Sequence, residues 1–359
     1  MNNYTDYNDN KKITYHEQTD IQNILKLRAI LKTLPDFCKD YFRAMDPLTT
    51  TKTRISYAYD IRIFFQFLLD ENPAFKNHSM KDFTVDVLDQ LKAVDIEEYQ
   101  EYLKVYKNGD KTETNGERGL KRKISALRSF YAYYYKHEFI QTNPTVIVDV
   151  PKTHEKSIIR LDADEVAMLL DYIEHCGDEL TGQKRVYYEK TKERDLAIVT
   201  LLLGTGIRVS ECVGLDIEDV DFKNNGIKVT RKGGNEMVVY FGPEVEKALK
   251  KYVTVRENIT ALAGHEHALF YSTQRKRIGV QAVENLVKKY SRAITTTKKI
   301  TPHKLRSTYG TALYQETGDI YLVADVLGHR DVNTTKKHYA AMDDARRRKA
   351  ATAVHLRED

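Results

Sequence analysis

The chain has 359 residues, 41% hydrophobic and 30% charged, with 57 Lys and Arg against 52 Asp and Glu for a net charge of +5. That is the composition of a soluble globular protein long enough for two or three domains, and no apolar run approaches the ~20 residues a membrane helix needs. The N-terminal "MNNYTDYNDNKK" lacks a signal-peptide core, and Cys38, Cys176 and Cys212 lie far apart without CxxC spacing, so a cytoplasmic protein with reduced thiols and no membrane partner is expected.

In chain order, residues 1–12 are polar and carry no periodic pattern. Residues 20–43 hold Ile24, Leu27, Ile30, Leu31 and Leu34 at helical spacing before Pro35, and "DFCKDYFRAM" gives a second short helix. The segment from Thr49 to Pro73 predicts a long helix with threonine N-cap candidates and with Ile61, Phe64, Phe65 and Leu68 on one face. Residues 85–107 give one or two more helices, and "NGDKTETNGERG" (108–119) reads as a loop. In "LKRKISALRSFYAYYYKHEFI", Ile124, Leu127, Tyr131 and Tyr134 form a core stripe. Lys121, Ser125 and Arg128 share another face, a row that fits either a phosphate backbone or solvent. Arg54, in the long helix, is a further candidate DNA contact.

"NPTVIVDVPKTHEKSIIR" (143–160), with two prolines and no period, reads as a linker. The expected organisation is an N-terminal extension (1–43), a helical domain (44–150) and a second domain (151–359). The second domain begins with helices at 162–175, 193–203 and 208–215. "NGIKVTRKGGNEMVVYF" then switches to period two, a hairpin turning at Gly233-Gly234-Asn235. A helix opens at Pro243, "ALFYS" is expected as a third strand, and helices follow at 280–294, 302–316, 319–328, 333–341 and 343–355. The N-terminal half is thus expected to be all-helical, and the C-terminal half mostly helical with a small antiparallel sheet.

Basic residues come in bursts ("GLKRKISALR", "QRKR", "TTTKKITPHKLR", "DARRRKA"), while acidic ones gather in "DADEV" and "DIEDVDF". Segregation of this kind can build one basic face on a near-neutral chain. Four segments of the second half hold polar residues that an ordinary core would not want. In "GTGIRVSE", Arg208 opens a helix, where a cation opposes the helix dipole, and Glu211 three residues on can orient it. In "TRKGG", Lys232 sits at the hairpin turn. In "TPHKLRSTYGTAL", His303 and Arg306 share one helix face. In "LGHRDVNTTKKHYA", His329 follows a glycine at a helix end and Tyr339 falls on the next helix. Two arginines, a lysine and two histidines suit one anion whose charge spreads over its oxygens during transfer, and a tyrosine can attack phosphorus to form a covalent ester. Free tyrosine has a pKa near ~10, so such a nucleophile needs cations nearby and a group to take its proton. His303, His329, His338 and His355 show no HxxxH spacing and no CxxC accompanies them, so neither a metal nor another cofactor is expected.

These four boxes, in order across residues 160–345, resemble the tyrosine recombinase (phage integrase) family, and the helices of 43–150 resemble its core-binding domain. The resemblance implies a helical core-binding domain plus an α+β catalytic domain, forming a C-shaped clamp on double-stranded DNA. It implies that Arg208 and Arg306 clamp the scissile phosphate, Lys232 protonates the leaving 5′-oxygen, His303 handles the tyrosine proton, His329 bonds the phosphate and Tyr339 attacks. A 3′-phosphotyrosine and a four-way junction follow, without ATP or metal. Two departures stand out: Ser307 occupies the place of a second histidine in many relatives, and "TRKGG" replaces their "GKG", so the choice of Lys232 over Lys228 rests on the turn. Within the family the likeness is to single-protein Xer-type recombinases of low-GC Gram-positive bacteria, which resolve chromosome dimers. Partners so implied are a site with inverted-repeat arms, a homotetramer docked through the C-terminal helix (Ala345, Ala350, Ala353, Leu356), and a DNA translocase or accessory factor. A mobile-element integrase, a type IB topoisomerase and a non-catalytic DNA-binding protein are the alternative readings.

Overall fold

The computed structural model describes residues 14–152, 154, 158–231, 234–329, 331–333 and 335. The chain divides into two compact units, residues 1–155 and 156–359.

The first unit contains helices α1 (Tyr15–Leu31), α2 (Cys38–Ala44), α3 (Thr51–Glu71), α4 (Val87–Gln90), α5 (Ala93–Tyr102) and α6 (Glu117–Lys136). Local chemistry sets several ends. Thr14 and Glu17 cap α1 reciprocally, with the Glu17 N–H donating to Thr14 Oγ1 (3.3 Å) and the Thr14 N–H to Glu17 Oε2 (2.8 Å). Thr50 accepts from the Thr53 N–H at the start of α3, and that helix stops at Asn72 because Pro73 disfavours helical backbone before it. The core is unusually aromatic. Phe130 of α6 meets Phe37, Tyr41, Phe65 and Tyr134, all with ring centroids within 6.2 Å. The buried tyrosines keep partners for their hydroxyls: Tyr41 donates to Ser129 Oγ (2.9 Å) and Tyr134 to the Phe37 carbonyl (2.7 Å).

One expectation is overturned here, because the first unit is not all-helical. Strands β1 (Val105–Asn108) and β2 (Lys111–Thr114) pair antiparallel across Gly109-Asp110, so β1 replaces the end of the stretch expected as helix (85–107) and β2 lies in the stretch read as a loop (108–119). Gly109 has φ +61°, a value glycine adopts at no steric cost. Only Tyr106 of this hairpin is buried, so no apolar alternation marks it in the sequence.

The second unit holds α7 (Ala163–His175), α8 (Gly182–Thr205), α9 (Val209–Gly214), β3 (Val220–Asp221), β4 (Gly226–Thr230), β5 (Glu236–Tyr240), α10 (Pro243–Glu257), α11 (Val280–Ile294), α12 (Pro302–Thr317) and α13 (Ile320–Leu327). The strands form one antiparallel sheet in the order β3-β4-β5. Helix α8 is the axis, packed on α7, α10 and α12, with Ala197, Ile198, Val199, Leu201 and Leu202 buried. It starts at Gly182, well before the expected 193, since its charged first half carries no apolar period. A buried ion pair anchors it: Arg194 bonds Asp195 (2.6 and 2.9 Å) and the Tyr271 carbonyl (3.0 Å), and the Tyr290 hydroxyl of α11 donates to Asp195 (3.0 Å).

A second correction concerns "ALFYS". The third strand of the sheet is Val220–Asp221, and Ala268 and Tyr271 make only isolated bridges, to Asp216 and Arg277. Ala268 to Tyr271 are nonetheless buried, so their apolar run records burial in a packed connection rather than in a sheet. The helices expected at 333–341 and 343–355, including the docking face of Ala345, Ala350, Ala353 and Leu356, lie outside the described residues apart from a few positions up to 335. No described helix is long and apolar enough to cross a membrane.

Truncating Phe130 to Ala is expected to cost about 3–5 kcal/mol, as for a large aromatic removed from a close-packed core. Urea unfolding of the full chain, with Ser125→Ala on the exposed face as a near-neutral control, measures it.

Candidate active site

The site of the second unit is built where helix ends meet. Helix α8 closes at Gly206 with φ +63°, and two residues later Arg208 caps the start of α9. A cation at that end is unfavourable against the dipole, and Glu211 in the first turn offsets it. The Arg208 N–H donates to Glu211 Oε2 (2.8 Å) and its guanidinium Nη1 to Oε1 (2.8 Å), as expected of an orienting carboxylate. Glu211 is buried, whereas the Arg208 side chain keeps 34% of its exposure.

Helix α12 opens at Pro302 and presents Arg306, buried, whose Nη1 donates to the Gly206 carbonyl (2.6 Å) and whose Nη2 donates to the Leu327 carbonyl. His303 lies one turn earlier on α12 and is exposed; the Ser307 hydroxyl bonds its carbonyl (3.1 Å).

Helix α13 ends in a Schellman closure. Gly328, at φ +61°, donates its N–H to the Asp325 carbonyl (2.7 Å), and His329 to that of Ala324 (2.9 Å). This turn aims the Leu327 and Gly328 carbonyls at the guanidiniums, with Arg208 Nη2 3.2 Å from the Gly328 oxygen. His329 Nδ1 lies 2.7 Å from Oγ1 of buried Thr335. Arg208, Arg306 and His329, more than 120 residues apart at the extremes, therefore converge on one corner.

Lys232 and Tyr339 lie outside the described residues. Lys228, the other hairpin lysine, is on the sheet with Nζ 3.6 Å from Glu236 and 3.8 Å from Asp219. Cys212, beside Glu211, is no competing nucleophile: burial, then the Glu211 carboxylate, push its thiol up to about 12. Among the described residues no three His, Cys, Asp or Glu side chains gather in a way that could hold a metal ion.

Reading the sequence missed Arg231. It directly follows β4, on the parity of the buried Ile227 and Val229, and it is buried itself. A charged side chain at an inward strand position is a legible signal of a buried partner. Its guanidinium donates to Glu211 Oε2 (3.1 Å) and to the carbonyls of Leu327 (3.3 Å) and Val326 (2.8 Å).

The candidate DNA contacts lie in the first unit. Lys121 and Ser125 are exposed on α6, beside Arg118 and Arg122. The Ser125 hydroxyl donates back to the Lys121 carbonyl (2.7 Å), and Arg122 pairs with buried Asp60. Arg128, on the same row, bonds the carbonyls of Thr145 (3.1 Å) and Val148 (2.5 Å), tying the 144–148 turn to α6. Arg54 pairs with Asp46 and bonds Thr51 Oγ1 (3.3 Å).

Comparison with known proteins bears on this corner. Residues 159–346 match the Phage integrase family model. The tyrosine recombinase XerS of Lactococcus lactis subsp. cremoris (strain MG1363) is 31% identical over 338 residues, covering 88% of this chain and 93% of the relative. The tyrosine recombinase XerC of Caldanaerobacter subterraneus subsp. tengcongensis is 33% identical over 313 residues, covering 85% of this chain and 82% of the relative. In fold, the chain is similar to the XerH site-specific recombinase bound to its difH substrate (TM-score 0.59, 18% identity, 95% of this chain and 97% of that one). It is likewise similar to the Tn1549 transposon integrase bound to circular intermediate DNA (TM-score 0.61, 21% identity, 84% and 94%).

Two outcomes follow from the geometry. Glu211→Ala is expected to cost about 3 kcal/mol or more in urea unfolding, because it strips the counter-charge from two guanidiniums, and Glu211→Gln, which keeps an acceptor, less. Lys121→Ala is expected to weaken binding to duplex DNA and to flatten the slope of log K against log salt by about 0.9 if Lys121 meets one phosphate; an unchanged slope assigns α6's exposed row to solvent.

Proposed function

Because the chain belongs to the phage integrase family and is a site-specific DNA recombinase, we propose that Tyr339 cuts DNA through a covalent phosphotyrosine at a site held by Arg208, Arg306 and His329. The observation that carries this reading is the corner at the end of α13, where Arg208 and Arg306 bond the successive carbonyls of Gly328 and Leu327 just before His329. Guanidiniums fixed before the reaction stabilise charge on the phosphoryl oxygens without reorganising at the moment of transfer.

In this mechanism the Tyr339 oxygen attacks phosphorus while His303 takes its proton. The bond from phosphorus to the 5′-oxygen breaks, and Lys232 donates a proton to that oxygen. The products are a 3′-phosphotyrosine and a free 5′-hydroxyl. A 5′-hydroxyl from the partner duplex then attacks the phosphotyrosine, the tyrosine leaves and recovers a proton, and the phosphodiester is restored. The ester conserves the bond energy, so rejoining draws on no nucleotide. Two such rounds pass through a four-way junction.

The biological role we assign is Xer-type resolution of chromosome dimers, supported by 31% identity to a XerS relative across most of both chains. In this role the partners are a duplex site with inverted-repeat arms, three further copies of this chain docked through the C-terminal helix, and a DNA translocase or other accessory factor. Mobile-element integration is the second reading, supported by the fold shared with the Tn1549 integrase.

The test is covalent capture. The full chain is incubated with nicked genomic fragments of its host, denatured in detergent, and the protein-linked ends are sequenced beside Tyr339→Phe. Linked ends at one locus, absent from the variant, are expected. A locus near the replication terminus supports dimer resolution and one at a mobile-element boundary supports integration. Scattered linkage would point to a topoisomerase, and linkage that persists in Tyr339→Phe would remove that residue from the nucleophile's role.

A further inference from the structure

Arg231 has no part in the mechanism above, yet it shares one partner with each of the two clamping arginines. It shares the Glu211 carboxylate with Arg208 and the Leu327 carbonyl with Arg306, and it alone of the three bonds the Val326 carbonyl. The α13 terminus is shaped to admit it. A Cβ on Gly328 would stand 3.0 Å from Arg231 Nε and 3.1 Å from Cζ, and the backbone there has φ +61°. Behind it, the Arg231 N–H donates to the Asn235 carbonyl (2.7 Å) and its own carbonyl accepts from Gly234 (3.0 Å), so the hairpin end is bonded to itself at the same residue.

We propose that Arg231 is a positioning residue of the phosphate clamp, setting where Arg208 and Arg306 stand through Glu211 and the α13 carbonyls; this rests on reading Arg208 and Arg306 as that clamp. The physical case is a division of charge. With Arg231 in place, Glu211 is neutralised from the side of the sheet as well as by Arg208. Without it, a buried carboxylate has Arg208 as its remaining guanidinium partner and holds it more firmly, in competition with the phosphate. The Val326 and Leu327 carbonyls lose a donor at the same time, which loosens the turn carrying His329.

The test uses the full chain and a nicked duplex of the captured site, with either a phosphodiester or an uncharged methylphosphonate at the cleaved position. Removing the charge from the phosphorus group removes most of the need for a cationic clamp, so a clamp defect shrinks on the methylphosphonate. Arg208→Ala is the reference. Arg231→Ala is expected to slow phosphodiester cleavage by roughly 100-fold, the scale of a displacement of about 1 Å at a catalytic group, and to slow methylphosphonate cleavage far less. Arg231→Lys keeps a charge near Glu211 without spanning to both carbonyls and is expected to fall between. If Arg208→Ala discriminates between the substrates while Arg231→Ala slows both alike, Arg231 is merely structural and the proposal is overturned. If Arg208→Ala also slows both alike, the clamp reading fails and takes the proposal with it. Should Arg231→Ala unfold, as read by thermal denaturation, the substrate ratio of Arg231→Lys decides.

Discussion

The second unit depends on one buried carboxylate. Glu211 is surrounded by protein, and burying its charge alone would cost several kcal/mol. It is held instead by an N–H and two guanidiniums, from Arg208 and Arg231. Those two cations, and Arg306 with them, are in turn placed by helix ends. The last carbonyls of a helix have no partner within it and carry partial negative charge, and here the ends of α8 and α13 offer theirs at Gly206, Val326, Leu327 and Gly328. Three guanidiniums can stand together because one carboxylate and two helix termini compensate them. A guanidinium carries five N–H groups, so it can be anchored from one side and still meet an anion.

This arrangement explains why glycines recur at the corner. Gly206 and Gly328 both have positive φ, and both are closely approached. A Cβ on Gly206 would stand 2.3 Å from the Tyr309 ring and 2.9 Å from Leu327. The turns must be tight and bare for α8, α12 and α13 to bring their ends together. The first unit solves a different problem with different means. Its core of interlocked aromatic rings fixes α6 against α2 and α3, and leaves one face of α6, with Arg118, Lys121, Arg122 and Ser125, turned to solvent. Arg128 sits on that row but holds the turn after α6, so its position serves packing as well as charge.

Elements with strong periodicity were legible from the residues: α3, α6, α11, α12 and the β4–β5 pair all stand where apolar spacing places them. Those that failed lacked the signal. The β1–β2 hairpin buries only Tyr106, and the first half of α8 is charged and largely exposed, so neither carries a pattern to detect. "ALFYS" failed in the opposite way, because an apolar run reports burial and not the backbone that supplies it. Arg231 did carry a legible signal, since strand parity places it with Ile227 and Val229.

What the sequence by itself determined is the chemistry on offer: phosphate-binding residue types in four separated boxes, glycines at their turns, a mainly helical chain with a small sheet, and the family to which those boxes belong. Spacing within the first box also paired Arg208 with Glu211, since residues three apart at a helix start can reach one another, and the two are bonded. Only the tertiary structure decided which groups meet across boxes. That Arg208 and Arg231 share one carboxylate, and that both stand with Arg306 on one set of helix-end carbonyls, depends on how three helix ends pack, and packing over separations of 100 residues leaves no periodic trace in the chain.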